Sequence, residues 1–162
     1  MRLFPSRTYN LPSCTLHRVK RSEAPDLAAR LVAMDPWRTL EYQADAVALY
    51  LSRPDQGLMR FTITSSRQSA GVICLRYPWL KGIYLELLAL FPPHQGLGLG
   101  REVMTWVEAQ VRPHTKNFWV VVSAFNQAAR RLYFNLGFTQ VACLPDLIQT
   151  GYEELLLRKI LA

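Results

Sequence analysis

The chain has 162 residues, half of them apolar, 19% charged and 11% aromatic, which supports one domain with an ample core and excludes disordered and fibrous classes. No apolar run approaches the roughly 18 to 20 residues of a bilayer span, and Arg2, Pro5, Arg7, Asn10 and Pro12 interrupt any secretory segment, so a cytoplasmic protein with no membrane partner is expected. The 19 basic against 12 acidic residues leave a charge of +7, which favours an anionic partner; apart from Arg18, Lys20 and Arg21 the basic residues are scattered, which disfavours nucleic acid.

A first strand is expected around Thr15 to Lys20. Ser22 then caps a helix carrying Pro25 and the apolar stripe Ala24, Leu27, Ala28, Leu31, ended near Met34 because Asp35 precedes Pro36. A second helix follows Thr39, with Ala44, Val47, Ala48 and Leu51 on one face. Three extended segments come next, around Met59 to Thr64, Gly71 to Tyr77 and Ile83 to Phe91, and read as an antiparallel meander. The glycine-rich turn Gly96 to Gly100 opens a third helix reaching Arg112 and closed by Pro113. Phe118 to Val122 is a buried strand, and Asn126 caps a fourth helix with Ala129, Leu132, Tyr133 and Leu136 on its stripe and Gly137 as its left-handed end. Strands at Thr139 to Leu144 and Tyr152 to Ile160 complete a mixed α/β domain spanning residues 1–162.

Cys14, Cys74 and Cys143 are odd in number and widely spaced, which suits neither a disulfide framework nor a zinc site, and His17, His94 and His114 show no ligand spacing. No metal is expected. The strongest local signal is Gln95-Gly96-Leu97-Gly98-Leu99-Gly100-Arg101 between a strand and a helix. Glycines there let the backbone approach a ligand closely, and the first helical amides have no internal acceptor, so the segment can cradle an anion such as a pyrophosphate. A dinucleotide fingerprint would need glycine at Arg101, and a Walker loop would need Lys followed by Ser or Thr after a longer gap. The same glycines also suit a plain tight connection.

The pattern Gln95-x-x-Gly98-x-Gly100, followed by Asn126-x-x-Ala129-x-x-Leu132-Tyr133-x-x-x-Gly137-Phe138, resembles the acyl-CoA core of the GNAT superfamily of N-acetyltransferases over roughly Ile83 to Phe138. The resemblance implies the GNAT fold, an α/β (α+β) arrangement with a mixed, mostly antiparallel sheet of about seven strands flanked by four helices. It also implies acetyl-CoA as co-substrate, lying between the strand that ends near Phe91 and the one that ends near Val122. By the same resemblance the backbone of Leu88, Ala89 and Leu90 holds the pantetheine arm. Gln95, Gly96, Leu97, Gly98, Leu99, Gly100 and Arg101 surround the pyrophosphate, Asn126 and Ala129 line the opposite wall, and Tyr133 stands near the thioester sulfur.

A lysine-like amine of pKa about 10.4 is free base in only about one molecule in 2,500 at neutral pH, a cost of roughly 4.6 kcal/mol, so a group must take its proton. Glu86 is the only carboxylate on the strand before the glycine turn, flanked by Leu85, Leu87 and Leu88, and is the expected base, directly or through water. It could equally face solvent or pair with a nearby cation. Several protein-acetylating relatives carry Glu on the strand before the asparagine, where this chain has Val120, Val121 and Val122. Tyr133 lies on its helix's packing stripe and could be purely structural; as a catalytic group it suits a hydrogen bond to developing sulfur charge better than full proton transfer. Trp37 and Asp146 sit in connections that overhang the acceptor side in this fold, where an aromatic packed under a loop is the plainer alternative.

The expected activity is direct transfer of an acetyl group from acetyl-CoA to a primary amine of a small molecule or a protein, without an acyl-enzyme. A catalytically silent acyl-CoA-binding or sensing module is the alternative from another class. The acceptor is open among polyamine, amino acid, antibiotic, protein N-terminus and lysine, and an exposed final strand could pair with a second copy to form a homodimer.

Overall fold

The computed structural model describes residues 3–162. Its secondary structure runs β1 (Thr8–Asn10), β2 (Thr15–Arg18), a single 3-10 turn (Arg21–Glu23), α1 (Ala24–Val32), α2 (Ala44–Ser52), β3 (Leu58–Ser65), β4 (Gln68–Trp79), β5 (Gly82–Leu90), α3 (Leu99–Val111), β6 (Asn117–Ser123), α4 (Gln127–Asn135), β7 (Thr139–Pro145) and β8 (Glu153–Ile160). All eight strands form one sheet in the order β1-β2-β3-β4-β5-β6-β8-β7. The eighth strand, absent from the sequence expectation of about seven, is β1: three residues of weak pattern, paired with β2 through Tyr9 opposite Leu16 and held by the Tyr9 ring against Phe61 and Trp106.

Neighbouring strands are antiparallel except β5 and β6, which run parallel because α3 carries the chain back across the sheet between them. Both faces are covered, so β4 reads as a continuous apolar run whose side chains divide by period two. Ile73 and Leu75 join the core under α3 and α4 with Phe61, Val103, Val107, Phe118 and Leu157. Val72 and Cys74 join the core under α1 and α2 with Leu27, Leu31, Val47 and Phe91. Gly71 lies where β4 meets β5 most closely: a Cβ there would come within 2.1 Å of the Ala89 carbonyl oxygen.

The final strand is not an edge. β8 lies between β6 and β7, with Val120 opposite Leu157 on one side and Cys143 opposite Leu155 on the other. The free edge on that side belongs to β7, which corrects the expectation of an exposed final strand. No described helix is long and apolar enough to cross a membrane.

Candidate active site

Parallel β5 and β6 pair over only three positions, Ile83–Phe118, Tyr84–Trp119 and Leu85–Val120. Beyond them the strands part. The opening coincides with a bulge: register with β4 moves from Cys74–Leu87 to Leu75–Leu85, leaving Glu86 as the extra residue, and a bulge bends its strand and sharpens its twist. The Phe91 amide donates to the Ala70 carbonyl at 2.8 Å, so by alternation Leu88 and Leu90 turn their backbone groups to the opposite, unpaired edge. There the Leu90 carbonyl accepts from Gln95 Nε2 at 2.9 Å, which braces the following loop against the strand end.

That loop takes left-handed conformations at Gly96 (φ +72°) and Gly98 (φ +82°), and a Cβ built on either would meet nothing within 4 Å. Glycine is therefore required there for backbone conformation facing open space, and not for packing. Gly98 caps α3. The Glu102 amide is the first to find a helical acceptor, the Gly98 carbonyl at 3.0 Å, which leaves the amides of Leu99, Gly100 and Arg101 unpaired within the helix at its positive end. They border a cleft of about 600 Å³ whose walls include Leu88, Ala89, Leu90, Gly96, Gly98 and Arg101. Gly100 serves packing instead: its Cβ would lie 3.3 Å from Leu132 and 3.5 Å from Leu90. Of the two leucines in the turn, Leu97 is 68% exposed and Leu99 is buried in the core, so Leu99 can offer a ligand only its main chain.

A second cavity of about 290 Å³ lies deeper in the opening. It meets the cleft at Pro36, Trp37, Leu88, Asn126, Ala129 and Tyr133, which line both. Asn126 Oδ1 is spent on the Ala129 amide at 3.2 Å, the cap expected for α4. Tyr133 is 5% exposed and packs edge-on to Phe138 with ring centroids 5.9 Å apart, so it is at once a core residue and a wall of both spaces. Burial, with a smaller contribution from Tyr84, pushes its phenol well above the ordinary value; the hydroxyl stays neutral and can act as a donor.

Glu86 lines the inner cavity but is already partnered. Its Oε2 accepts from Arg76 Nε at 2.5 Å and its Oε1 from Arg76 Nη2 at 3.2 Å, while the same guanidinium reaches Asp55 at 3.1 Å. The geometry matches the pairing alternative, because a carboxylate gripped bidentately by a fixed cation has its oxygens engaged before any amine arrives. Trp37 lines both the cleft and the inner cavity. Asp146 lines neither space: at φ +57° it turns its Oδ1 to the Gly151 amide at 2.7 Å and shapes its own loop, while its neighbours Leu147 and Ile148 reach the inner cavity.

Glu154, at the start of β8, was not among the expected site residues. It stands opposite Ser123 in register and is 2% exposed. Its carboxylate lines the inner cavity and accepts from Ser123 Oγ, at 2.8 and 3.0 Å to its two oxygens. Burial raises its carboxyl above the ordinary range, with the Ser123 hydroxyl pulling the other way. The chain signal available beforehand was slight, a Glu-Glu pair in which alternation buries one member and exposes the other.

Residues 22–138 match the Acetyltransferase (GNAT) family, and the chain belongs to that family of acetyl-CoA-dependent N-acetyltransferases. No curated protein matches it. Among solved structures it is similar to the ribosomal-protein-S18-alanine N-acetyltransferase from Escherichia coli, at 20% identity and a TM-score of 0.70, covering 92% of this chain and 94% of that one. A ribosomal L7/L12 alpha-N-protein acetyltransferase in complex with coenzyme A gives 16% identity and a TM-score of 0.73, covering 95% and 98%. The spermidine/spermine N-acetyltransferase from Vibrio cholerae gives 16% and 0.69, covering 91% and 92%. At these identities the likeness is one of fold.

Proposed function

We propose that this chain transfers the acetyl group of acetyl-CoA directly to a primary amine while both are bound. The observation that carries the reading is the junction at Leu88, Asn126 and Tyr133, where a cleft suited to a phosphorylated cofactor meets a separate inner cavity. When bound, acetyl-CoA supplies an activated thioester. The unpaired amides of Leu99, Gly100 and Arg101 bind its pyrophosphate, with the exposed Arg101 adding positive charge. The free edge of β5 at Leu88 and Leu90 orients the pantetheine and offers donors toward the carbonyl oxygen. Tyr133 donates a hydrogen bond where charge develops on sulfur.

None of the cysteines lines either space: Cys14 and Cys74 are buried in the two cores and Cys143 is exposed on β7. That placement supports direct transfer over a cysteine acyl-enzyme. Calorimetric titration with CoA, followed by measurement of CoA release from acetyl-CoA over an amine and peptide panel, tests the reading. We expect saturable CoA binding and amine-dependent release; absence of CoA binding refutes the function, and binding without release by any amine leaves the acyl-CoA-binding module.

A further inference from the structure

The inner cavity holds two carboxylates in different states. The charge of Glu86 is met by Arg76, a cation it shares with Asp55. That of Glu154 is not: among the described residues no cation forms an ion pair with it, and its only hydrogen bond comes from the neutral Ser123 hydroxyl, whose single proton cannot satisfy two oxygens. A buried carboxylate without a counter-charge is costly, and Glu154 is among the residues that line the cavity. A cation admitted to that cavity would supply the counter-charge.

The remaining walls limit that cation. Trp37, Tyr42, Tyr84, Leu147 and Ile148 are aromatic or aliphatic, so a second positive charge would face apolar surface or the Arg76-bound Glu86. Gln149 Nε2 donates to Glu41 Oε2 at 3.0 Å, tying the loop that carries Leu40 and Tyr42 to the loop that carries Leu147 and Ile148, four residues that line the cavity. Two tied loops around a space of about 290 Å³ suit a compact molecule better than an extended peptide.

We propose that Glu154 receives the acceptor's ammonium group and takes its proton, that Ser123 is the positioning residue for Glu154, and that the acceptor is a compact primary amine with one positive charge on an apolar or aromatic body. The inference rests on the acetyltransferase reading above. The ammonium gives one proton to the Glu154 carboxylate, and the freed nitrogen lone pair forms the N–C bond to the acetyl carbon. The C–S bond breaks with its electron pair passing to sulfur. The nitrogen's remaining surplus proton ends on that sulfur as the CoA thiol, and Glu154 returns its proton to solvent. One amine cation and one acetyl-CoA thus give one amide, one CoA and one proton.

The titratable and hydrogen-bonding groups that share the cavity with Glu154 are Ser123 on β6, Tyr42 on the loop after α1, Tyr84 and Glu86 on β5, the latter paired with Arg76 on β4, and Tyr133 on α4. Burial raises the phenols of Tyr42, Tyr84 and Tyr133, so all three stay neutral near neutrality. The raised carboxyl of Glu154 means that its ionisation destabilises the fold: stability is full below the ordinary carboxylate range and falls as pH rises through the folded value.

The test compares wild type with Glu154→Gln and Ser123→Ala, all saturated with CoA. Phenethylamine is the probe, 2-phenylethanol its uncharged counterpart, and spermidine and an alanine-initiated hexapeptide the competing classes. Glu154→Gln should weaken calorimetric binding of phenethylamine by at least about 30-fold and leave 2-phenylethanol unchanged. Its melting temperature should exceed that of wild type at pH 8 but not at pH 4. Ser123→Ala, which removes a hydrogen bond to the charged form, should move the acidic limb of the kcat/KM profile to higher pH. Equal phenethylamine binding by Glu154→Gln, or identical pH dependence of its stability, overturns the role of Glu154. Spermidine or the hexapeptide binding 10-fold tighter than phenethylamine overturns the acceptor class, and so does failure of every amine to bind. A wild type that does not bind CoA instead refutes the acetyltransferase reading.

Discussion

Gly98→Asp probes the anion cradle with a charge that the backbone can accommodate. The position has φ +82° and open space around an added Cβ, and Asp tolerates a left-handed backbone better than most residues, at a cost of about 1 kcal/mol. As the N-cap of α3, its carboxylate can accept from the free amides of Gly100 or Arg101, which offsets much of that cost. The same bond places a negative charge within about 5 to 6 Å of an anion seated on those amides, and at an effective dielectric of about 20 one unit-charge pair there costs about 3 kcal/mol. CoA affinity should therefore fall by more than about 100-fold while the melting temperature changes by only a few degrees. Gly98→Asn, of nearly the same shape and without the charge, should lose less than about 10-fold. Calorimetry at about 0.15 M and 0.5 M salt would separate the two, because screening recovers part of an electrostatic loss. A folded Gly98→Asp variant that binds CoA within about twofold of wild type, or an Asn variant that loses as much, refutes the cradle.

Tyr133→Phe keeps the edge-on packing against Phe138 and removes only the hydroxyl; kcat should drop by about 10- to 1,000-fold with CoA affinity and melting temperature preserved, and undiminished turnover would return Tyr133 to a core role alone. Glu86→Gln breaks the Arg76 pair but leaves Arg76 on Asp55. With both partners partly exposed it should cost about 1 kcal/mol in urea denaturation and leave the shape of the pH–rate profile unaltered; a steeper profile, recovering toward the amine's own pKa, would instead make Glu86 the base. Burial pushes the thiols of Cys14 and Cys74 up to about 11 and about 12, so native protein at pH 8 should show one rapidly alkylated cysteine, Cys143, by peptide mapping. Fast labelling of Cys74 would contradict the core beneath α1 and α2.

The elements and the cofactor half of the site were legible in the chain because they are local. The Asn126 cap and the unpaired amides after Gly98 need only a few consecutive residues to be recognised, and the two motifs lie within one stretch that crosses the sheet once. The inner cavity is not local. From the chain alone Glu86 could be a base, face solvent or pair with a cation, and only the β3–β4–β5 meander, by bringing Arg76 against it, selects the pairing. Asp146 looked poised over the cleft, but a five-residue turn claimed its oxygen for Gly151. Glu154 gave almost no signal, since its burial depends on β8 inserting between β6 and β7 and setting it opposite Ser123, 31 residues earlier. Side-chain type and helical or strand period are written in the sequence; which carboxylate meets a cation and which lines a cavity without one is decided by strand order and register, because electrostatic partners are set by distance in space.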